Sequence, residues 1–534
     1  MAIFTLTEAN DTFPGPLDDL SQNDQIFALG GDDVVQIAGG SDTVFGGAGN
    51  DQIFGANVSG FAGEPGVQSF YGGAGNDALY QGHLDLGCNL FGGEGNDVLS
   101  MGHAFSTSRD LVDFADAGSG DDYVTVTDAT FSVEGGTGND TLSIALFSAG
   151  SVHFDASGPE VVFTVDGVSY SQISGFEAYA VQGFRQDDVL TGGSGDDDLY
   201  GDAGNDLLYG GAGNDTLSGE TVYGGSGDDV MPGVSSTNGL AHQLFGGAGN
   251  DVMASNPVNL VLDAGSGDDL VKLEFWGLYT GAFAAGSLQG GTGSDILDVT
   301  LVIERGMQAG DVVSIAFENG LWTGQAAGRV FFTADGFETL NLKQADKYCL
   351  NLVSGAGNDR VDHRPGGDGM LDMGAGDDSV ISGRGQEAMF GGAGNDTLLG
   401  GSGNDTIIGG LGRDYIGTGA GADVLVFQTL AESGTVFGQH VIDQINYFQT
   451  STTPGSFIDR IDLSAIDASA SVAGDQAFNF IGTAGFSAEG QVRVAQFGTS
   501  TFVEVNAIGS GGSDMILCLL GVTATQVGAE DFIL

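Results

Sequence analysis

"FGGAGNDTLLGGSGNDTIIGG", residues 390–410, writes nearly the same nine residues twice and begins a third copy. Its acids keep a fixed interval. Asp396, Asp405, Asp414 and Asp423 stand nine apart, as do Asp24, Asp33, Asp42 and Asp51, and again Asp188, Asp197, Asp206 and Asp215. Two residues beyond each acid the side chain is apolar: Leu398, Ile407, Ile416 and Leu425 in the last block, Ile26, Val35, Val44 and Ile53 in the first, and Leu190, Leu199, Leu208 and Leu217 in the middle. This pattern predicts a short strand after every glycine turn, with one side chain facing inward.

Glycine supplies positive φ angles and close backbone approach, and it leaves carbonyl oxygens uncovered. If successive nine-residue units lie on opposite sides of a flattened coil, units eighteen apart stack at the ~4.8 Å strand spacing. Asp396 then sits over Asp414, and Asp405 over Asp423. Two bare carboxylates ~5 Å apart repel by roughly 3 kcal/mol at an effective dielectric near 20. A ladder of them needs positive charge between its rungs, and a hard divalent ion that takes oxygen ligands from carboxylates and carbonyls, as Ca2+ does, suits such a turn. The expected fold is all-β: a calcium-bound parallel β-roll or β-helix solenoid.

The repeated GGxGxD followed by x-apolar-x resembles the RTX nonapeptide, the haemolysin-type calcium-binding repeat, whose fold is a Ca2+-binding parallel β-roll. About a dozen full matches occur, including "GGAGND" at 46, 72, 210, 246 and 391. A disordered glycine-rich tract would not place an apolar residue two positions after each acid.

Composition sets bounds. Ninety-six glycines with no G-X-Y period exclude collagen. A formal charge of −59 with 13 basic residues argues against nucleic acid or an anionic membrane as partner. Roughly fifteen to twenty-five calcium ions would cancel much of that charge, given the ligand demand of each ion. Cys88, Cys349 and Cys518 are far apart with no CxxC spacing, so they are expected to pack as small apolar residues. The longest apolar run, "MILCLLGV" at 515–522, is too short to span a bilayer. The opening "MAIFTLTEANDTF" lacks a basic region, so a cleaved secretory signal is not expected.

Six segments are predicted: an N-terminal β-roll at 1–57, an irregular solenoid at 58–182, a β-roll at 183–219, a second irregular solenoid at 220–345, a β-roll at 346–427 and a terminal cap at 428–534. The two irregular segments are copies. "LFGGEGNDV" at 90–98 recurs as "LFGGAGNDV" at 244–252, "DAGSGDD" at 116–122 recurs at 263–269, and "GFEAYAVQ" at 175–182 is echoed by "GFETLNLK" at 336–343. Within them the motif returns only every 18 to 26 residues, at Asp77, Asp97, Asp122 and Asp140, then at Asp229, Asp251, Asp269 and Asp295. One calcium row is expected there and two in the regular blocks, with Asp359 and Asp378 opening the last block. Loops such as 57–68 and 101–109 are expected to replace the second row and to present contact surfaces.

From about residue 428, "ADVLVFQTLAESG", "VIDQINYF", "RIDLSAIDA", "FNFIGTAGFSAEGQVRV" and the terminal "DFIL" resemble the C-terminal region of serralysin-type metalloproteases. The resemblance implies a cap on the β-roll and an uncleaved C-terminal signal for type I secretion. "VNAIGSGGSDMIL" at 505–517 departs from it, lacking the more acidic loop of relatives. The zinc-binding HExxH of those proteases has no counterpart: His83, His103, His153, His242, His363 and His440 are scattered, and none is followed by glutamate. Neither a G-x-S-x-G elbow nor a Walker loop occurs. No catalytic residue is assigned.

The expected function is a secreted, non-enzymatic calcium-binding structural protein that folds on Ca2+ and assembles with itself into an extracellular layer, sheath or filament. One alternative is a calcium-dependent adhesin or matrix protein that binds glycans or cell surfaces, with Phe61, Phe105, Trp276, Tyr279 and Trp322 as stacking groups. Another is a polysaccharide-modifying enzyme.

Overall fold

The strands are short because each nine-residue unit spends about half its length turning, and the chain alternates between sheets at every turn. The computed structural model describes residues 3–13, 23–37, 40–55, 67–81, 87–101, 112–127, 131–145, 150–169, 172–232, 242–255, 260–276, 286–302, 312–318, 321–326, 329–344, 349–364, 367–433, 435–436, 439–440, 442–451, 458–509 and 511–534. They divide between two compact units, Met1–Met253 and Ala254–Leu534.

In the first unit, one sheet stacks Ile3–Thr5, Gln25–Phe27, Thr43–Ala48, Val67–Ala74, Gly87–Glu94, Asp113–Ser119, Phe131–Thr137 and Gln172–Ser174. A second sheet stacks the strands between them, from Thr12–Phe13 and Val34–Gln36 to Thr141–Ala145 and Ala178–Gln182. Nearly all pairing in both is parallel, and the register brings the inward residues of successive coils into columns. Val35 lies beside Ile53, then come Leu79, Leu99, Val124 and Leu142. In the facing column Ile26 leads to Val44, Phe70, Leu90, Ala115 and Val133. All of these are buried. Each column residue larger than alanine contributes about 1.5–3 kcal/mol relative to an exposed position, and a one-residue slip would turn the whole column outward.

The second unit repeats the arrangement. One column runs Leu342, Val361, Val380, Leu398, Ile416, Ile445 and Leu519. The other runs Leu352, Leu371, Met389, Ile407, Leu425, Ile461 and Phe532. The terminal "DFIL" is therefore a rung of this sheet: Phe532–Ile533 pairs in parallel with Arg460–Asp462, and the Phe532 ring packs at a tilt against Phe480, centroids 5.0 Å apart.

The irregular segments hold more order than their sequence suggests. Each inserts an antiparallel meander, at Val152–Asp155, Val162–Val165 and Val168–Ser169 in one and at Val312–Glu318, Leu321–Ala326 and Arg329–Asp335 in the other. Each meander precedes a glycine in the left-handed region, Gly175 at φ 72° and Gly336 at φ 74°, that turns the chain back into the coil. The loops at 57–66 and 102–109 lie outside the described residues. Near the C-terminus Gln491–Phe497, Ser500–Asn506 and Met515–Leu519 form an antiparallel sheet. The 505–517 stretch closes its second hairpin, where the Asp514 carboxylate accepts the N–H groups of Ala507 and Ile508, both at 2.8 Å.

Trp322, expected as an exposed stacking group, is buried, and its indole N–H donates to the Phe337 carbonyl at 3.2 Å. It fills the core beneath the meander. Phe61, Phe105 and Tyr279 and the side chain of Trp276 lie outside the described residues. Cys88 and Cys518 are buried within strands, and Cys349 is half-buried. Among the described residues no helix is long and apolar enough to cross a membrane.

Candidate metal sites in the turn rows

At residues 391–396 the chain leaves Glu387–Ala393, turns through Gly392 at φ 105° and Gly394 at φ 148°, and enters Thr397–Leu399. Asp396 closes the turn. Its Oδ1 accepts the main-chain N–H of Asp378, one coil back, at 2.8 Å, and its own N–H donates to Oδ1 of Asp414, one coil on, at 2.9 Å. Asp405 and Asp423 repeat the relation on the opposite edge at 2.8 Å. The acids are stacked as the eighteen-residue interval predicts.

These bonds extend into rows. In the first unit Asp33, Asp51, Asp77, Asp97, Asp122 and Asp140 each donate an N–H to the acid of the next coil at 2.7–2.8 Å. The opposite edge has Asp24 bonded to Asp42 at 2.8 Å. Farther on, Asp188 bonds to Asp206, and Asp197 leads through Asp215 and Asp229 to Asp251. In the second unit Asp269 bonds to Asp295 at 2.9 Å, and Asp359 leads through Asp378, Asp396 and Asp414. Every acid singled out from the sequence occupies such a turn, and all are buried except Asp24, which is half-buried.

In most of these turns one carboxylate oxygen carries the bond between coils; at Asp188, Asp197 and Asp359 the second oxygen also accepts a donor from its own turn, the N–H of Phe184, the N–H of Gly193 and the Ser354 hydroxyl. The other oxygen, Oδ2, is buried without a hydrogen-bond donor at Asp33, Asp51, Asp77, Asp97, Asp122, Asp140, Asp206, Asp215, Asp229, Asp295, Asp378, Asp396, Asp405, Asp414 and Asp423. Buried unpartnered carboxylate oxygens on this scale are costly unless a cation meets them. The first glycine of the motif shows where. A Cβ on Gly391 would collide with both Asp396 Oδ2 and the Gly409 carbonyl oxygen, and on Gly46 with Asp51 Oδ2 and the Gly72 carbonyl. Carboxylate and carbonyl oxygens thus converge on one space that only glycine leaves open. The donors are all hard oxygens, which fits Ca2+. Among the described residues no three His, Cys, Asp or Glu side chains gather around one point, so main-chain carbonyls must supply much of each ligand set.

Electrostatics agrees. Burial, partly offset by the N–H bond from the neighbouring coil, pushes Asp97, Asp197, Asp206, Asp378, Asp414 and Asp423 up to about 7. Asp42, Asp77, Asp140, Asp215, Asp229, Asp295, Asp359 and Asp396 rise to about 6 for the same first reason. Asp33, Asp51, Asp122, Asp188 and Asp405 also rise through burial. A charged carboxylate in these turns needs a positive partner.

Several members of the rows fall outside the nine-residue interval. Glu177 and Glu338 end the rows of the two copies: Oε2 of each accepts the N–H of Asp140 or Asp295 at 2.8 Å. Both lie in the echoed "GFE" sequence, which was the available signal. Glu220 takes the N–H of Asp206 at 3.2 Å, and Glu387 donates its N–H to Asp405 at 3.0 Å. Asp443 and Asp459 receive Asp414 and Asp423 at 2.9 and 3.0 Å across loops that break the spacing. At Asp359 a serine replaces the first glycine, and the Ser354 hydroxyl donates to its Oδ2.

A second column runs outside the first and in the opposite sense. The N–H of Asn395 donates to Oδ1 of Asp377 at 2.7 Å, as Asn76 does to Asn50 and Asn250 to Asp228. Each turn is held from both sides.

A family model described as "RTX calcium-binding nonapeptide repeat (4 copies)" matches residues 36–57, 63–80, 89–100, 182–217, 243–256 and 390–425. No curated protein matches. Among solved structures, a subunit of the mannuronan C5-epimerase of Azotobacter vinelandii is 29% identical, covering 29% of this chain and 77% of that one, with a TM-score of 0.24. A second subunit of the same enzyme is 24% identical over 31% of this chain and 91% of that one, at 0.22. The extracellular lipase of Serratia marcescens is 17% identical over 67% of this chain and 40% of that one, at 0.21.

Proposed function

Because the chain carries RTX calcium-binding nonapeptide repeats, we propose that it is a secreted, non-enzymatic structural protein that folds on Ca2+ and assembles with itself outside the cell. The observation that carries the first half is the row of buried carboxylates, most of which, like Asp396, have one oxygen bonded to a neighbouring coil and one without a donor. The predicted acids, from Asp24 to Asp423, are the proposed ligands, together with glycine carbonyls. When bound, Ca2+ supplies the charge that lets those carboxylates ionise at the core's edge. Because binding favours only the folded chain, it is also folding free energy. At low Ca2+ the net charge of −59 keeps the chain expanded, a state suited to export through a channel, with the C-terminal residues as the proposed type I signal.

Self-assembly rests on the outer column. In the first unit it exposes Asp32, Asp121, Asp196 and Asp228 and in the second Asp377, each accepting the N–H of an asparagine on the next coil, and these are the carboxylates at which Ca2+ bridges a neighbouring copy. The test is light scattering with negative-stain electron microscopy on full-length protein moved from chelator into millimolar Ca2+. Sheets or filaments support the reading, and a protein that stays monomeric rejects it.

A second reading, a glycan-binding adhesin, is favoured by one observation. Phe27, Phe45, Tyr71 and Phe91 form a half-buried stack on the outer face of one sheet, with ring centroids 4.9, 4.8 and 4.6 Å apart. Gln25, Thr43, Ser69 and Asn89 form a polar row beside it. Glycan-array binding lost on Tyr71→Ala would support this reading over self-assembly.

A further inference from the structure

One turn of the second unit departs from the oxygen-only chemistry of its row. Where Asp405 and Asp423 carry the acid, the preceding coil has "SGRGQE", ending at Glu387, and the coil before that enters its turn through His363. The side chains of His363 and Glu387 are both fully buried. His363 Nε2–H donates to the Gly367 carbonyl oxygen at 2.8 Å, and Nε2 lies 3.9 Å from Glu387 Oε1. Both oxygens of Glu387 are buried, with the Ser382 hydroxyl and the Asp405 carboxylate as their polar neighbours and no cation beside them among the described residues. A Cβ on Gly385 would collide with both Glu387 Oε1 and the Gly367 carbonyl, so those two oxygens border the same small space as the imidazole nitrogen.

We propose that His363 Nε2, Glu387 and the Gly367 carbonyl form a site for a borderline divalent transition-metal ion, distinct from the oxygen-only turns around it. Ca2+ takes oxygen ligands, whereas imidazole with carboxylate is the donor set of Zn2+ and its first-row neighbours. Without the ion Nε2–H is held by the Gly367 carbonyl; on ligation the proton moves to Nδ1, Nε2 presents its lone pair, and the ion takes the place of that hydrogen between the two atoms. The ion supplies the positive charge that Glu387, facing Asp405 and Asp368, lacks, and water completes its coordination. Asp362, Arg364, Asp368 and Asp405 are the charged groups nearest the site. The inference stands apart from the assembly reading, since it concerns one turn and not the outer faces.

The experiment is equilibrium dialysis of the full-length protein against Zn2+ with Ca2+ in large excess, so that the acidic rows are saturated. The wild type should retain about one equivalent of Zn2+, and His363→Gln should weaken retention about tenfold or more. His153→Gln, at an exposed strand position, should leave it unchanged. Substituting Co2+ should give a visible absorption band with nitrogen ligation that His363→Gln removes. Circular dichroism in Ca2+ checks the fold of each variant. If His363→Gln fails to fold, Glu387→Gln, of nearly the same shape, takes its place with the same expected loss. No Zn2+ retained by the wild type, or equal retention in the wild type and the variant, overturns the proposal.

Discussion

Asp396 gives its main-chain N–H to Oδ1 of Asp414 at 2.9 Å, while its own Oδ2 is buried with no donor. The pair shows the dual role of most acids in these rows. One oxygen ties a coil to its neighbour, and the other is left for a cation. Removing the acid should therefore harm both stacking and metal binding, and the two effects separate in the absence of Ca2+.

Asp405→Ala removes the acceptor for the Glu387 N–H as well as an oxygen that lacks a donor. Leaving a buried N–H unpaired costs about 1–3 kcal/mol. The variant should require more Ca2+ to fold, read as a higher midpoint in a calcium titration followed by circular dichroism. Asp475→Ala, at an exposed position, should not shift it. An unchanged midpoint for Asp405→Ala would remove that residue from the ligand set.

Gly391→Ala tests the space itself. Gly391 has an ordinary backbone conformation, so the cost comes from the Cβ meeting Asp396 Oδ2 and the Gly409 carbonyl. The variant should lose calcium-dependent stability by isothermal calorimetry and thermal melting, whereas Gly485→Ala, with open space around it, should behave as wild type.

Without divalent ions the rows should respond to pH in a set direction. Burial holds Asp97, Asp378, Asp414 and Asp423 near 7, above the ordinary carboxylate value, so the folded chain binds more protons than the unfolded one. Stability from these groups is full only below about pH 4 and is lost progressively as pH rises from there to about 7. In chelator the melting temperature should fall across that interval, and saturating Ca2+ should abolish the fall. A melting temperature that rises from pH 5 to 7 in chelator would contradict the burial argument.

Glu338 ends a row by accepting the Asp295 N–H at 2.8 Å. Glu338→Ala should destabilise the protein by about 1–3 kcal/mol, since the donor is left without an acceptor. Glu338→Gln keeps a carbonyl oxygen there and should lose much less in urea unfolding.

The regular blocks were legible because turn and core share one nine-residue interval: an acid two positions before Leu398 or Ile407 fixes both the stacked carboxylate and the buried column. The rows were traceable through the duplicated segments wherever that acid survived, as at Asp77 and Asp97. They were lost to the eye where a glutamate replaced it, because Glu177 and Glu338 reach the same N–H with a longer side chain after an inserted meander. Asp443 and Asp459 were hidden by loops of variable length, since spacing along the chain says nothing about which coil the chain rejoins. The meanders left no repeat at all. Trp322 read as exposed because its segment lacked a pattern, while in the fold it fills the space that the irregular coil creates.

The most direct test counts Ca2+ while watching the chain fold. Full-length protein in chelator, titrated with Ca2+ and followed by circular dichroism alongside direct measurement of bound calcium, should gain its β signal cooperatively as roughly fifteen to twenty-five ions bind, the number expected from the ligand demand of each ion. A chain that holds its full β signal in chelator at neutral pH with no calcium bound would contradict the account.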